Sequence, residues 1–409
     1  MSPLKEPLLV RFLALATLLT VWAGFSVGCG SDESAPITGG TSGLPAESGP
    51  QVVPDDSVSV TTLEMLGAKF KRGGDGRVTE VNLRGVELTD ADLAPLPLLA
   101  NLQSVLLNET GVTDEGLKTL GEIETLRNLD LRGCGISNDG LAHLGGLGSL
   151  RALRLSGKNN ATRIDDDGLQ HIAKLTSLKA LLLDFLFVSE EGLAKLEPLV
   201  ELEELYLAGT LAGDETAGVL VQFPKLRKVR LSQTQFGDGG LESLMAITTL
   251  VELDVSENSL ISDAGMAHLG AMRNLEKLNL WRVQISDGGL EPLGELRSLV
   301  WLNLDNTLIS DAGLPAISGL EKLEFLHLGS TAVTDLGLVH LEGLTSLKDL
   351  KLTRTNVTEL GVSGLQKKLP GAKIQLKYIE ADPPGAQNPP NAGGQTPPVA
   401  GRRFATGGA

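Results

Sequence analysis

One apolar pattern recurs twelve times along this chain of 409 residues. It has the form L-x-x-L-x-L, with Val allowed for Leu, and nine of its eleven intervals are 24 residues long. The copies begin at Val78, Leu102, Leu126, Leu150, Leu178, Leu202, Leu226, Leu250, Leu275, Leu299, Leu323 and Leu347. Alternating apolar residues indicate a strand with one buried face, and a repeat this short buries that face only by stacking on its neighbours. The sequence therefore predicts one elongated solenoid of about 12 repeats.

A polar phrase, S/T-D-x-G-L, separates many of these strands. It occurs at 113–117 and 310–314, for example, and as Ser-Asp-Ala-Gly-Met at 262–266. Ser, Thr and Asp accept hydrogen bonds from the free amides of a helix's first turn, and Asp also complements its positive end. Each repeat is thus predicted to be a strand, a turn and a capped helix. We expect the recurrent Gly to permit close approach of the neighbouring repeat.

A polar ladder follows the strands, with one member three positions after the last strand leucine. Its members are Thr110, Cys134, Thr210, Thr234, Asn258, Thr307, Thr331 and Thr355. We expect these side chains to satisfy backbone groups at the turn, each of which costs about 1 to 3 kcal/mol if left unpaired. Repeat five departs from the pattern with Leu186, repeat six with Thr216-Ala217 for Gly-Leu, and repeat four with a four-residue insertion in the loop 157–163. That loop is either a tolerant insertion or a decoration of a binding rim.

The repeat length, the S/T-D-x-G-L phrase and the Thr or Cys of the polar ladder resemble the ribonuclease-inhibitor and cysteine-containing classes of leucine-rich repeat. The resemblance covers roughly residues 57–379. It implies an α/β solenoid, a horseshoe with a parallel β-sheet on the concave face and helices on the convex face. It also implies binding of macromolecular partners.

The two ends of the repeat array are predicted to be capped. Residues 57–77 carry Leu63, Leu66 and Phe70 at helical spacing, and an amphipathic segment of this kind can cover the exposed leucines of an open solenoid end. Residues 78–379 are assigned to the repeats and a C-terminal cap, with a last helix and a closing strand within 361–376.

The N-terminus predicts export. Two basic residues precede an apolar stretch of 14 residues at 12–25, which is typical of a secretory signal. The following Ser-Val-Gly-Cys resembles a bacterial lipobox, which implies a signal peptide of residues 1–28, lipidation of Cys29 and a membrane anchor in the cell envelope. Secretion without the anchor and an uncleaved signal that stays in the membrane are the alternatives. Residues 29–56 then predict a flexible linker, and the Pro- and Gly-rich residues 380–409 a disordered tail.

Catalytic, metal and nucleic-acid sites are not predicted. With Cys29 lipidated, Cys134 has no disulfide partner, and no nucleophile motif or phosphate-binding glycine loop surrounds it. Four histidines occupy the same position in four different predicted helices. Neighbouring helices lie too far apart for their histidines to share a zinc ion. They are His143, His171, His268 and His340. A net charge of -16 argues against nucleic-acid binding, and we expect no cofactor and a monomer.

An aromatic patch is the main candidate site. Trp281 and Trp301 fall in outward strand columns of adjacent repeats, and Phe325 and His327 follow in the next repeat. Because neighbouring strands lie about 4.8 Å apart, we expect these rings to form one contiguous patch. The polar residues Asn279, Arg282, Asn303 and Asp305 are predicted to surround it. Aromatic rings ringed by polar groups are typical of a binding hot spot, although they also occur as packing that shields a curved sheet.

A basic stripe is the secondary candidate. It comprises Arg127, Arg132, Arg151 and Arg154 on repeats three and four, with Arg227, Lys228 and Arg230 on repeat seven. Asp130, Glu203 and Glu204 lie among these cations. The stripe either steers an anionic partner or forms a self-paired, solvated face.

Two function classes follow from these surfaces. The first is a membrane-anchored binding module that recognises an extracytoplasmic protein, or a glycan stacked on the Trp rings, through its concave face. The second is a structural, envelope-spacing protein without a tight ligand.

Overall fold

The computed structural model describes residues 54–377. The predicted signal peptide, Cys29, most of the linker and the tail lie outside these residues. No helix within 54–377 is long and apolar enough to cross a membrane.

A single sheet of fourteen strands, all within residues 54–377, runs through the described chain in sequence order. The strands are β1 Lys69–Arg72, β2 Val78–Asn82, β3 Ser104–Leu106, β4 Asn128–Asp130, β5 Ala152–Ser156, β6 Ala180–Asp184, β7 Glu204–Tyr206, β8 Lys228–Arg230, β9 Glu252–Asp254, β10 Lys277–Asn279, β11 Trp301–Asn303, β12 Phe325–His327, β13 Asp349–Lys351 and β14 Lys373–Gln375. Strands β2 to β13 are the twelve predicted repeat strands. They pair in parallel, and each residue faces the equivalent residue of the next repeat, as Lys277 faces Trp301.

The convex side carries short helices. They are α1 Ser57–Met65, α2 Asp114–Gly121, α3 Asn138–Leu141, α4 Leu169–Ile172, α5 Glu190–Ala194, α6 Thr216–Leu220, α7 Asp238–Leu244, α8 Asp263–Ala271, α9 Asp287–Leu290, α10 Leu314–Ile317 and α11 Glu359–Lys368. The prediction of one capped α-helix per repeat is wrong for two repeats, which have only 3-10 turns here. Additional 3-10 turns are Asp90–Leu93, Leu96–Leu98, Ala142–Leu144, Pro292–Glu295 and Gly337–Leu341. A 24-residue repeat leaves few residues for the convex side, and the tighter 3-10 helix spans that side in fewer residues.

The ends of the array differ in one respect from the sequence prediction. Helix α1 lies where the spacing predicts it and buries Leu63. It is followed by β1, which pairs antiparallel with β2 as a hairpin that the sequence did not predict. At the other end, α11 and β14 supply the last helix and the closing strand.

The core is a continuous spine of stacked aliphatic side chains. In repeat three, for example, Leu126, Leu129 and Leu131 are all fully buried, and Leu141 of the convex side closes over them. Complete burial of one such leucine contributes about 1.5 to 3 kcal/mol. Because every repeat contributes the same few leucines, stability is spread along the array.

The polar ladder has the predicted role. The hydroxyl of Thr307 donates to the carbonyl of Leu304 at 2.7 Å, and the other threonines of the ladder make the same bond within their own repeats. The Cys134 thiol donates to the carbonyl of Leu107 in the preceding repeat at 3.1 Å. The side chain of Asn258 bonds the preceding repeat twice. Its Nδ2 donates to the carbonyl of Leu231, and its Oδ1 accepts from the backbone amide of Thr234. These bonds satisfy carbonyls that the strands leave unpaired at the turn.

The aspartate of the S/T-D-x-G-L phrase lies in the first helical turn, as predicted for Asp287 of α9, and has a second role that the sequence did not predict. It does not cap its own helix through a hydrogen bond; its carboxylate accepts from the backbone amide and hydroxyl of Ser or Thr in the next repeat, as Asp287 does from Ser310 at 2.7 and 2.6 Å. We call this set the carboxylate ladder. Eight members make both bonds to Ser or Thr, namely Asp90, Asp114, Asp166, Asp238, Asp263, Asp287, Asp311 and Asp335. Two more members, Glu190 and Asp214, accept the backbone amides of Gly213 and Gly237. The carboxylate ladder therefore links successive repeats on the convex side.

The recurrent glycine is explained by this ladder. A Cβ on Gly313 would lie 2.6 Å from Oδ1 of Asp287, and one on Gly140 only 2.0 Å from Oδ1 of Asp114. The predicted close approach is therefore confirmed, and the approaching group is the aspartate of the preceding repeat.

The inserted loop of repeat four packs back onto the solenoid. Asn159 donates to the carbonyl of Gly133 at 2.9 Å, and Thr162 donates to the carbonyl of Cys134 at 2.9 Å. The ammonium of Lys158 lies 5.5 Å from the ring centroid of Phe185. These contacts attach the insertion to repeats three and five.

Candidate binding surface on the concave sheet

Three outward columns of side chains cross the sheet near its C-terminal end. Register pairing places Lys277, Trp301 and Phe325 in the first column. The second column holds Asn279, Asn303 and His327, and the third begins two residues further on, just past each strand. Successive strand residues point to opposite faces, so these columns lie on the face opposite to the leucine spine.

The first column contains a stacked aromatic pair. The rings of Trp301 and Phe325 are 4.9 Å apart between centroids and 6° from parallel. His327 meets the edge of Phe325 at 6.4 Å. All three rings are partly exposed. They form a partly exposed apolar platform on the sheet.

Trp281 lies outside that platform, so the expectation of one contiguous ring patch is wrong. Trp301 is paired with Lys277, and Trp281 comes four residues after Lys277. Trp281 is therefore displaced from Trp301 by about 13 Å along the strand direction. The Trp281 ring instead packs under the guanidinium of Arg282, whose central carbon lies 5.4 Å from the ring centroid. Arg282 is also paired with Glu257 at 2.7 Å. The sheet therefore carries two separate aromatic groups in place of one patch. They are the platform of Trp301, Phe325 and His327, and Trp281 with Arg282.

The two asparagines do not surround the rings as expected. Asn279 and Asn303 are each only 4% exposed. Their side-chain oxygens accept from the backbone amides of Trp281 at 3.2 Å and Asp305 at 3.0 Å. A side chain that bonds the amide two residues on stabilises a turn, so these residues shape the exit of each strand.

Asp305 is a half-enclosed acid between the two aromatic groups. Burial raises the pKa of its carboxyl, against hydrogen bonds from Ser330 and Trp281 that favour the charged form. Nε2 of His327 lies 4.0 Å away. An acid whose ionised form is partly desolvated interacts strongly with any donor brought to it.

A glycine leaves space over this acid. The position that a Cβ of Gly329 would occupy lies 2.7 Å from Oδ1 of Asp305, 2.8 Å from Nε2 of His327 and 2.9 Å from Oγ1 of Thr353. Polar groups of three successive repeats thus converge on one small gap. Only a residue without a side chain fits there.

A pocket opens beside the aromatic platform. It lies between Tyr206 and Trp301 and encloses about 380 Å³, its open mouth included. Its floor carries two ion pairs, Lys277 with Glu252 at 3.4 Å and Arg230 with Asp254 at 3.4 Å. The pocket joins the first aromatic group to the middle of the sheet.

Sequence reasoning missed Tyr206. The residue stands between the two leucines of an L-x-L segment, which is an outward position, and the chain has only two tyrosines. The signal was therefore present, but three repeats separate Tyr206 from the nearest predicted aromatic. Burial raises the pKa of its phenol, and the negative charges of Glu204 and Glu252 raise that pKa further.

The basic stripe divides into two parts that differ in their ion pairs. On repeat seven, Lys228 pairs with Glu204 at 2.6 Å, and Arg230 lies between Asp184 and Asp254 at 3.5 and 3.4 Å. The cations of repeat seven therefore pair with acids of the same sheet, as the second interpretation of the stripe predicts. The part on repeats three and four is different. There Arg127 and Arg151 are exposed, while Arg132 and Arg154 are partly buried.

The described residues offer neither a metal cluster nor a reactive cysteine. Within residues 54–377 no group of three or more His, Cys, Asp or Glu is placed to hold a metal ion. Cys134 is fully buried in the polar ladder, and burial raises the pKa of its thiol, which disfavours the reactive thiolate.

Comparisons with known proteins agree with the fold. The sequence profile of the leucine-rich repeat family matches residues 123–145, 224–245 and 246–270. An internalin of Listeria monocytogenes is similar over 81% of this chain and 92% of its own, at 22% identity and a TM-score of 0.54. No curated protein matches the sequence.

Two further solved structures are more distant. A leucine-rich repeat protein of Leptospira interrogans aligns over 69% of this chain and 80% of its own, at 17% identity and a TM-score of 0.44. The plant peptide hormone receptor RGFR1, solved in complex with RGF2, aligns over 75% of this chain and 59% of its own, at 16% identity and a TM-score of 0.40.

Parallel strands in unbroken sequence order, a leucine spine repeated every 24 residues and three matched segments identify the described chain as a leucine-rich-repeat solenoid.

Proposed function

We propose that this protein is a membrane-anchored, extracytoplasmic binding module that recognises a protein partner through its concave sheet. The observation that carries the proposal is the platform of Trp301 and Phe325, stacked 4.9 Å apart beside the Tyr206 pocket. Solenoids use their long concave surfaces for binding, and partly exposed aromatic rings are the residues that most often dominate an interface.

The chemistry of this surface favours a protein over a small ligand. The platform lies on an open sheet surface, and the adjoining pocket is lined by charged side chains that already pair with one another, as Lys277 does with Glu252. A small ligand is usually enclosed by a deep, mostly apolar cavity, whereas a protein surface covers a flat apolar centre with a polar rim. A glycan stacked on the rings is the second ligand class that this platform would accept.

The membrane anchor rests on the N-terminal sequence. Cys29 follows a stretch of 14 apolar residues, and lipidation there would hold the protein to a membrane if two or more acyl chains were attached. Labelling cells with a palmitate analogue and comparing the native chain with Cys29→Ser tests this part. Loss of label and release of the variant from the membrane fraction would support lipidation at Cys29, whereas an unlabelled native protein would refute it.

The binding function is tested with the full-length protein in detergent as bait for solubilised envelopes. A captured partner is identified by mass spectrometry, purified and titrated against native protein, Trp301→Ala and Phe187→Ala. Phe187 is the matched control because it is 72% exposed but lies between β6 and α5, away from the platform.

We expect Trp301→Ala to weaken binding about 30-fold, which corresponds to a hot-spot contribution of about 2 kcal/mol, and Phe187→Ala to leave it unchanged. Circular dichroism verifies that both variants fold. Equal affinity of native protein and Trp301→Ala would remove the platform from the interface. Failure to recover any saturable partner would favour the structural, envelope-spacing alternative.

A further inference from the structure

Three arginines from separate repeats converge on one buried carboxylate near the N-terminal end of the sheet. Arg132 holds Asp130 with two bonds, Nε to Oδ1 at 2.9 Å and Nη2 to Oδ2 at 2.7 Å. Arg84, two repeats earlier, reaches Oδ2 of the same group at 3.4 Å. Arg154 stands beside Asp130 in the register of β4 and β5, and the Asp130 side chain is fully buried. We call Arg84, Arg132 and Arg154 the arginine cluster.

The arginine cluster carries more positive charge than its surroundings cancel. Three guanidinium groups face one carboxylate, Asp130, which leaves two excess charges. Two of the neighbouring acids have cations of their own, since Glu80 pairs with Lys71 at 2.8 Å and Glu204 with Lys228 at 2.6 Å. Asp184 shares Arg230 with Asp254, at 3.5 and 3.4 Å. If the exposed Glu109 is counted against the cluster, one excess positive charge remains, and Asp184 offsets it only in part because Asp184 also pairs with Arg230.

The cluster also has hydrogen-bonding capacity in reserve. Nε of Arg84 is buried without a hydrogen-bond partner among the described residues. Arg154 bonds to the neutral side chain of Asn128, and desolvation by burial is the main cause that lowers its pKa. The side chains of Arg84 and Arg132 remain 32% and 21% exposed, so a ligand can reach the cluster from the concave side.

We propose that the arginine cluster is a subsite for the carboxylate side chains of an acidic peptide segment. The proposal rests on the proposed concave-face recognition of a protein, and it specifies the charge of the segment that reaches repeats one to four. A planar guanidinium presents paired N–H donors that match a carboxylate, and Arg132 already holds Asp130 in that geometry.

The arginine cluster is a site separate from the aromatic platform. Seven strand spacings of about 4.8 Å separate β4 from β11, which amounts to roughly 34 Å. An extended peptide needs about ten residues to span that distance. A defect at one site therefore leaves the other intact, and the two can be tested independently.

The test uses full-length protein in detergent and a fluorescein-labelled octaglutamate peptide, read by fluorescence anisotropy. Ionic strength is kept near 150 mM, where charges more than about 8 Å apart are largely screened. Because the protein has a net charge of -16, general electrostatics oppose binding of this probe, and saturable binding would report a local site. Octalysine and inorganic phosphate are the comparison ligands.

Four proteins are compared. Arg84→Gln, Arg154→Gln removes the excess charge and retains Arg132 to pair with Asp130; we expect binding at least about tenfold weaker. Asp130→Asn adds one unit of net positive charge, and we expect tighter binding. Lys277→Gln is the control on the same sheet, because Lys277 pairs with Glu252 at 3.4 Å and its strand, β10, lies five strands from that of Arg154. We expect it to bind like the native protein.

Several outcomes would overturn the proposal. They are the absence of saturable octaglutamate binding, equal losses in the double variant and Lys277→Gln, and displacement of the peptide by phosphate at equal charge concentration, which would assign the cluster to small anions. Trp301→Ala separates this failure from failure of the proposed function. Octaglutamate binding that is lost only in the double variant supports the subsite, whatever Trp301→Ala does to the captured partner.

Discussion

The carboxylate of Glu190 accepts a hydrogen bond of 2.9 Å from the hydroxyl of Thr216 in the following repeat. It also accepts the backbone amide of Gly213 at 2.6 Å, which is the bond that aspartates of the carboxylate ladder make elsewhere. Glu is one methylene longer than Asp, and Thr216 replaces the glycine of the S/T-D-x-G-L phrase. The two departures therefore compensate for each other across a repeat boundary.

This pairing predicts that the two positions are energetically coupled. Glu190→Asp alone should destabilise the protein, because a Cβ at the glycine position lies too close to an aspartate, as the 2.6 Å separation at Gly313 shows. Thr216→Gly alone loses the hydroxyl bond. The double variant recreates the common Asp and Gly pair, so we expect a coupling free energy of about 1 kcal/mol. Urea denaturation of all four proteins measures it, and additive losses would contradict it.

The fold was predictable because its determinants are local and repeated. The leucines of each L-x-x-L-x-L segment specify where the strand lies, which of its faces is buried and how it pairs with the next strand. All twelve predicted strands occur. The partner of Asp287 was not predictable in the same way. Its S/T-D-x-G-L phrase is compatible with capping within one repeat and with bonding between repeats, and only the spacing of neighbouring turns decides between the two.

Asp287→Ala is expected to lower the free energy of unfolding by roughly 1 to 3 kcal/mol. The change removes bonds of 2.7 and 2.6 Å to the amide and hydroxyl of Ser310, and hydrogen bonds to charged groups contribute about that much. Asp287→Asn keeps one acceptor oxygen and should cost less. Glu321→Ala, at an exposed position, is the control. Thermal unfolding gives the comparison, and a loss no larger than that of Glu321→Ala would show that the carboxylate ladder contributes no stability.

The polar ladder is tested by removing one hydroxyl without changing side-chain shape. Thr307→Val leaves the carbonyl of Leu304 without its 2.7 Å bond in a site only 4% exposed. We expect a loss of about 1 to 3 kcal/mol from this buried, unsatisfied acceptor. Thr307→Ser retains the bond and should lose less. If valine is tolerated as well as serine in chemical denaturation, the ladder is not held by its hydrogen bonds.

The candidate site was predictable only in part. Trp301 and Phe325 occupy the same outward column, so their stacking follows from register and strand spacing. Asn279 occupies an outward position too, yet it turns onto the backbone of the strand exit. Arg84 was missed because its partner, Asp130, lies 46 residues away, and only the stacking of repeats brings them together.

Cys134 is expected to react with alkylating agents only after unfolding. The thiol is fully buried and donates to the carbonyl of Leu107, and burial raises its pKa, so little thiolate is available. Iodoacetamide labelling followed by mass spectrometry of the peptide that contains Cys134 measures this directly. Labelling of the native protein at the rate of the urea-unfolded protein would contradict the structural role.

Asp305 and Asp335 should make stability depend on pH with opposite signs. Burial raises the folded-state pKa of Asp305 above its ordinary 3.8, so its contribution is fully present below pH 3.8 and is lost as pH rises through the raised value. The hydrogen bond from Thr358 lowers the pKa of Asp335, so its contribution is present above pH 3.8 and is lost as pH falls through the lowered value. Relative to the native protein, Asp305→Asn should therefore gain stability between pH 3 and pH 7, and Asp335→Asn should lose stability over the same range. Urea unfolding at both pH values measures the two differences, and a shared sign would show that one of the two carboxyls has been assigned the wrong environment.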